Sequence, residues 1–347
     1  MVRRSLLAAA FVLVATPLAA QEEVVWNPDR PDGHAPLGVV ADRTLGQGQV
    51  QFSYRFFQIN NKGIWFDNDS LDLDTSLDFY RVAPLSLDNL THQIEVAYGA
   101  TPELTVMARI DYSTRERQQF TGDGTLFVTE ADGLGDLELT GLYEFYSQEA
   151  VRAHVQLGAL VPTGQDNPTA PTPFTGTDEG ALPYDMRPGA GVFGVLPGMT
   201  AQIQNEMASV GAQVRGTVYF GENDLEYRPG NRFEGTLWAG YRLNSFFSVS
   251  ARARFQTWSR IQGGDPNLLI FNPSDDDPPF YDPGNDGFNL GGSQLEIPVG
   301  LNLYMPSGTR FEGHRLAIEY MYPAHRSYDG PQLGLDRSVV VGYQVVF

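Results

Sequence analysis

The sequence predicts an all-β fold, an antiparallel transmembrane β-barrel of about 12 strands. Three observations carry that reading. The first is an export-type leader, the second a repeated alternation of apolar and polar residues over about ten positions, and the third a set of connections that are alternately tight and long.

The opening MVRRSLLAAAFVLVATPLAA has Arg3 and Arg4, an apolar stretch from Leu6 to Val14, and small residues before Gln21. This is the plan of a signal peptide, so residues 1–20 are expected to be removed on export. The stretch falls short of the ~20 apolar residues a membrane helix needs. Residues 21–46 precede the first strand and are expected to lie in the periplasm or to plug the mouth of a barrel formed by 47–347.

From Gln49 onward one theme repeats. Val50, Phe52, Tyr54 and Phe56 alternate with Gln51, Ser53 and Arg55; Leu104, Val106, Ala108 and Ile110 alternate with Thr105, Met107, Arg109 and Asp111. Successive side chains of a strand point to opposite faces, so each stretch has one apolar and one polar side. Further strands are expected near 93–98, 136–145, 151–159, 191–203, 208–220, 232–243, 246–258, 293–305, 314–322 and 336–347. Tight turns such as Ala100–Glu103 and Ser147–Glu149 separate some of them. Long outer loops are expected at 60–90, 114–133, 162–190, 221–231 and 260–290. A transmembrane barrel sorts its loops in this way, and a soluble sandwich has no reason to. Tyr98, Tyr143, Phe145, Tyr241, Tyr304, Phe56, Tyr112, Phe220, Trp258 and Tyr322 fall near strand ends, where aromatic girdles meet the lipid interface.

The last strand, SVVVGYQVVF, puts Val339, Val341, Tyr343, Val345 and Phe347 on one face. It resembles the terminal strand of Gram-negative outer-membrane proteins, which implies that Tyr343 and Phe347 belong to the signal read by the barrel-assembly machinery. Pairing this strand with the one near 49–59 would close the sheet and remove both edges.

Composition excludes several function classes. There is no cysteine, so disulfides, thiol catalysis and Cys-ligated metal are absent from consideration. The formal charge of −19 argues against nucleic acid as a partner. The five histidines show no Ser/His spacing of a hydrolase, so no enzyme and no cofactor is expected. Asp275–Asp277, with Asp282 and Asp286, could offer oxygen ligands to Ca²⁺, but Pro278 and Pro279 stiffen the loop and the spacing matches no calcium loop. It reads as a solvated acidic loop, and no metal site is assigned.

Charged residues crowd the face opposite the apolar one. Arg109, Asp111, Arg152, Arg215, Glu234, Arg252, Arg254 and Glu296 are expected to point into the lumen. Either they pair with one another and fill it, or they line a passage for a small-molecule solute. Arg252 and Arg254, two apart, form a basic ladder expected to be partly neutralised by Glu234, while Ala251, Ala253 and Phe255 face the bilayer.

GLGDLELTGLYEFY (133–146), LVPTG (160–164), GENDLEYRPGNRFEGTLWAGYR (221–242) and HAPLGVVADRTLGQGQVQFSYRF (34–56) together resemble the meta-pathway phenol-degradation family of outer-membrane barrels, often called transporters. The resemblance implies passage of small, often hydrophobic compounds across the outer membrane. Its motifs are strand-entry and turn residues, so it carries over no binding residues. The competing reading is a non-transporting structural or surface-interaction barrel whose lumen is closed by its own charged side chains.

Overall fold

A computed structural model describes residues 25–270 and 280–347. The expected leader (1–20) and Asp275–Asp277 lie outside the described residues. The remainder forms a closed antiparallel barrel of twelve strands. These are β1 (Val50–Asp67), β2 (Val82–Gly99), β3 (Leu104–Thr121), β4 (Leu126–Leu134 and Leu137–Gln148) and β5 (Val151–Val161). Next come β6 (Phe193–Val195 and Gly198–Gln204), β7 (Ala208–Phe220), β8 (Arg232–Arg242) and β9 (Phe247–Trp258). The chain ends in β10 (Gly292–Glu296 and Val299–Tyr304), β11 (His314–Met321) and β12 (Pro323–Val346).

Closure is made where the last strand predicted it. β12 pairs with β1 from Gln51–Val346 to Asn60–Arg337 without a break, and the Phe347 N–H donates to the Val50 carbonyl at 2.9 Å. The first residues of β12 continue the upward path of β11 and pair with β10, from Glu296–Pro323 to Gly292–Tyr328. The chain then reverses between Tyr328 and Gln332 to run down beside β1.

Two of the three interrupted strands break at proline, which has no N–H for the ladder. At Pro197 and Pro298 the carbonyls still accept, from Gly216 N–H at 2.8 Å and Arg252 N–H at 2.9 Å, so the wall stays hydrogen-bonded through each break.

The tight connections, such as 100–103, 149–150 and 243–246, define one end of the barrel, which by the loop rule is the periplasmic end. At the other end β1, β2 and β3 run for 18 residues each, so pairing continues into 60–67, 82–90 and 114–121, regions expected to be loop. A short helix, Leu73–Leu77, sits in the first outer connection, capped by Asp72, whose carboxylate accepts the Thr75 N–H at 2.7 Å.

The faces alternate as predicted. Gln51, Ser53 and Arg55 are buried, as are Gln93, Glu95 and Arg109, whereas Ile94, Val96, Tyr98, Val106, Leu139, Val210, Leu237 and Phe255 are exposed on the outer wall. Tyr98, Tyr143, Phe145, Tyr241, Phe220 and Tyr322 are exposed girdle residues. Tyr304 and Trp258 are not. Tyr304 is buried against the His34 ring, with centroids 4.4 Å apart, and Trp258 packs toward Tyr328, itself buried. Both share the parity of inward residues, Asn302 for Tyr304 and Arg252 for Trp258.

Candidate functional site: the occupied lumen

The lumen holds the chain's own N-terminal segment. Residues 30–42 are almost continuously buried inside the ring of strands. Among the described residues the segment has no sheet partner, so its main-chain groups need partners from elsewhere. Side chains around the wall supply them. Ser248 Oγ donates to the Pro31 carbonyl at 2.9 Å, Arg315 Nη2 to Ala35 at 2.6 Å, Arg55 Nε to Leu37 at 3.2 Å, and Gln213 Nε2 to Val40 at 2.9 Å. His154 Nε2 lies 3.0 Å from the Ala41 carbonyl, Gln202 donates to the Asp42 carbonyl, and Thr105 Oγ1 accepts the Leu45 N–H at 2.8 Å. These donors and acceptors come from β1, β3, β5, β6, β7, β9 and β11. Ala41 sits at φ 56°, a left-handed conformation that costs a non-glycine residue about 1–2 kcal/mol; its carbonyl is reached by both His154 and Gln213.

Three small apolar contacts complete the seat. Ala35 and Val39 pack on Trp238, Leu37 on Ala317 and Val340, and Val40 with Leu45 on Ala97, Met107 and Leu142. Two glycines permit the close approach. A Cβ on Gly342 would lie 2.8 Å from Leu37, and one on Gly38 would lie 2.7 Å from Glu319 Oε1.

Behind the segment, the inward charges form pairs of two kinds. The first kind is dry: Arg252 Nη2 meets Glu319 Oε1 at 2.7 Å and Arg55 Nη1 meets Glu95 Oε2 at 3.0 Å, each side chain 1–2% exposed. The second kind keeps access to solvent: Arg254 bridges Glu234 at 2.7 Å and Glu296 at 3.1 Å, with Arg254 22% and Glu234 19% exposed. Arg109 pairs with Glu138, and Arg215 reaches the same Glu138 oxygen only at 4.0 Å. Arg215 and Glu234 are opposite one another in register, yet Glu234 is turned to Arg254. Asp111 is inward but makes no ion pair within 4.0 Å among the described residues, and its Oδ1 is buried without a hydrogen-bond partner. Arg152 stands near the periplasmic end, 4.0 Å from Glu144, and donates to the Glu149 and Val151 carbonyls. Tyr343 faces outward, its hydroxyl 2.7 Å from His314 Nδ1, and Phe347 is exposed at the rim.

Below the segment a cavity of about 520 Å³ opens at the periplasmic mouth, lined by Trp26, Asp29, Arg43, Glu144, Arg152 and Tyr304 among others.

A second closure stands at the outer end, which sequence reasoning missed. The Arg187 guanidinium lies 4.9 Å from the Tyr184 ring and 5.0 Å from the Tyr227 ring, and its Nη2 is 2.6 Å from Asp265. Arg117, from the wall, pairs with Asp282 at 2.7 Å and Asp185 at 3.4 Å. Burial pushes the Asp185 carboxyl above its usual range, and Arg117 beside it opposes the shift. Loops 162–190, 221–231 and 260–290 are thereby tied to one another. Their residues are distant in sequence and have no periodicity, so no signal in the chain announced the contact.

No protein-family profile matches the chain, and no curated protein matches it. Among solved structures, an outer membrane channel from Pseudomonas putida F1 superposes with a TM-score of 0.58 at 12% identity, covering 90% of this chain and all of the other. The translocator domain of the autotransporter NalP from Neisseria meningitidis gives a TM-score of 0.45 at 10% identity, over 87% of this chain and 90% of that one. At such identity the likeness is one of fold, and the fold is that of an outer-membrane β-barrel.

Proposed function

We propose that the chain is an outer-membrane channel or uptake protein for small molecules, exported by a cleaved leader, whose lumen is closed by residues 30–45. One observation carries this reading. The segment is held mostly by hydrogen bonds from wall side chains to its main chain and by three small apolar contacts, not by one continuous core. Such a bond contributes about 0.5–1.5 kcal/mol net from a neutral donor and about 1.5–3 kcal/mol from an arginine, because water replaces it when the segment leaves. Withdrawal would open the way to the partly exposed belt of Glu138, Arg215, Glu234 and Arg254 for whatever enters. Small, often hydrophobic compounds are the solute class implied by the family resemblance.

A structural barrel without transport is the second reading. It is favoured by the dry Arg252–Glu319 and Arg55–Glu95 pairs and by the tied outer loops. Conductance of the purified full-length barrel in a planar bilayer separates the two. Reproducible steps, however rare, support the channel; a correctly folded protein that stays silent at all voltages supports the structural barrel.

A further inference from the structure

His34 is buried where the N-terminal segment meets the wall. Its ring lies against Tyr304 of β10, with centroids 4.4 Å apart. The Pro28 carbonyl of the same segment lies beside the ring, and Nε2 is buried with no hydrogen-bond partner among the described residues. Two cations face the ring, Arg43 from the segment and Arg315 from β11. The nearby acids are already engaged. Asp42 accepts the Ala35 N–H at 3.2 Å, and Asp29 accepts the Tyr304 hydroxyl at 3.2 Å and the Ser307 N–H at 2.9 Å. Arg43 itself donates to Gln51 at 2.8 Å, and Arg315 to Asn302, Gln344 and the Ala35 carbonyl.

A proton added at Nε2 would therefore create a buried N–H with no acceptor and a third positive charge beside Arg43 and Arg315. Both consequences disfavour the seated position. In the released segment the ring would be hydrated and the cations dispersed. We propose that His34 is an acid-sensitive catch: protonation at Nε2 releases the N-terminal segment from the lumen wall and unblocks the periplasmic half of the barrel. His154, the other histidine in the seat, differs in that the bond it gives the Ala41 carbonyl is kept when the ring is charged.

Burial, then Arg43 and Arg315, holds the seated His34 pKa well below its ordinary value. The sign follows from linkage. The released segment binds the proton more readily, so the seat is intact above the free-histidine pKa of about 6.5. It weakens as pH falls below that value, by up to tenfold in the release equilibrium per pH unit.

The cysteine-free sequence allows a direct test. Val39→Cys places one thiol under the seat, against Trp238. The full-length barrel is folded into lipid vesicles, and its labelling by a small thiol reagent is measured from pH 8 to pH 5. Each rate is divided by that of the unfolded chain at the same pH. The expected ratio is flat above pH 7 and rises up to tenfold per unit below about 6.5, while Leu182→Cys, buried under the outer loops, stays protected. His34→Gln is expected to flatten the rise. If that variant labels fast at every pH because its seat is lost, Arg43→Gln decides: with one cation fewer acting on the seated ring, its rise should begin at the same pH but level off sooner and reach a smaller total. A flat wild-type profile would overturn the catch, as would an equal rise in Leu182→Cys, or an Arg43→Gln profile identical to wild type. The readout is segment exposure and not conductance, so the catch can fail while the channel stands, and the reverse.

Discussion

Arg252 and Glu319 meet at 2.7 Å beneath Gly38 of the N-terminal segment, each side chain about 1% exposed. β9 and β11 do not pair with each other at this level, so the contact crosses the lumen side of β10 and ties three strands together. Removing one partner of such a pair leaves an uncompensated buried charge. Arg252→Gln is expected to cost about 3–5 kcal/mol, seen as a lower temperature for loss of heat-modifiable mobility. Glu234→Gln removes a better-hydrated partner, leaves Arg254 paired with Glu296, and should cost less. Equal losses for the two would contradict the distinction between dry and wetted pairs.

Gly38 has room for a hydrogen and not for a methyl group. Gly38→Val should force residues 35–40 away from the wall and leave the barrel folded, because no wall backbone moves. A Val39→Cys reporter in that background is expected to label at least tenfold faster than in the parent at pH 8. Unchanged labelling would show that the segment tolerates the added bulk in place.

At the outer end, Arg187→Ala deletes the ion pair to Asp265 and the contacts with Tyr184 and Tyr227 together. Loop tips that lose their ties become sites of proteolysis. Intact cells displaying the variant should be cleaved by added protease within 162–190 or 260–290 faster than those displaying the parent, and the membrane-embedded part should survive.

The terminal strand gives a prediction about assembly. Phe347 completes the seam with Val50, and Tyr343 faces the bilayer beside Tyr54. Deleting Phe347 is expected to lower the amount of heat-modifiable protein in the outer membrane without reducing export. Tyr343→Asp should lower it further, since a charge on the lipid face costs up to a few kcal/mol, depending on depth. Outer-membrane levels equal to the parent's would remove Phe347 from the assembly signal.

Much of this fold was legible because a strand's period of two converts sequence directly into faces. Gln51, Ser53 and Arg55 went inward and Ile94, Val96 and Tyr98 outward on parity alone. Tyr304 and Trp258 were misplaced because position near a strand end was weighed above parity, although each shares the parity of an assigned lumen residue, Glu296 and Arg254. The site was less legible. Arg254 with Glu234 could be anticipated from neighbouring strands, but Arg252 with Glu319 spans 67 residues. The seat of residues 30–45 rests largely on main-chain carbonyls, which any sequence possesses, so nothing in HAPLGVVADRTL marked it as lumenal.

A channel requires that a passage exist through the barrel, here one that the N-terminal segment closes. The most direct test is the conductance of a barrel lacking residues 21–45, folded beside the full-length chain and checked for heat-modifiability. Frequent, larger steps are expected from the shortened protein and rare or small ones from the parent. A shortened barrel that folds, inserts and remains as silent as the parent would contradict it.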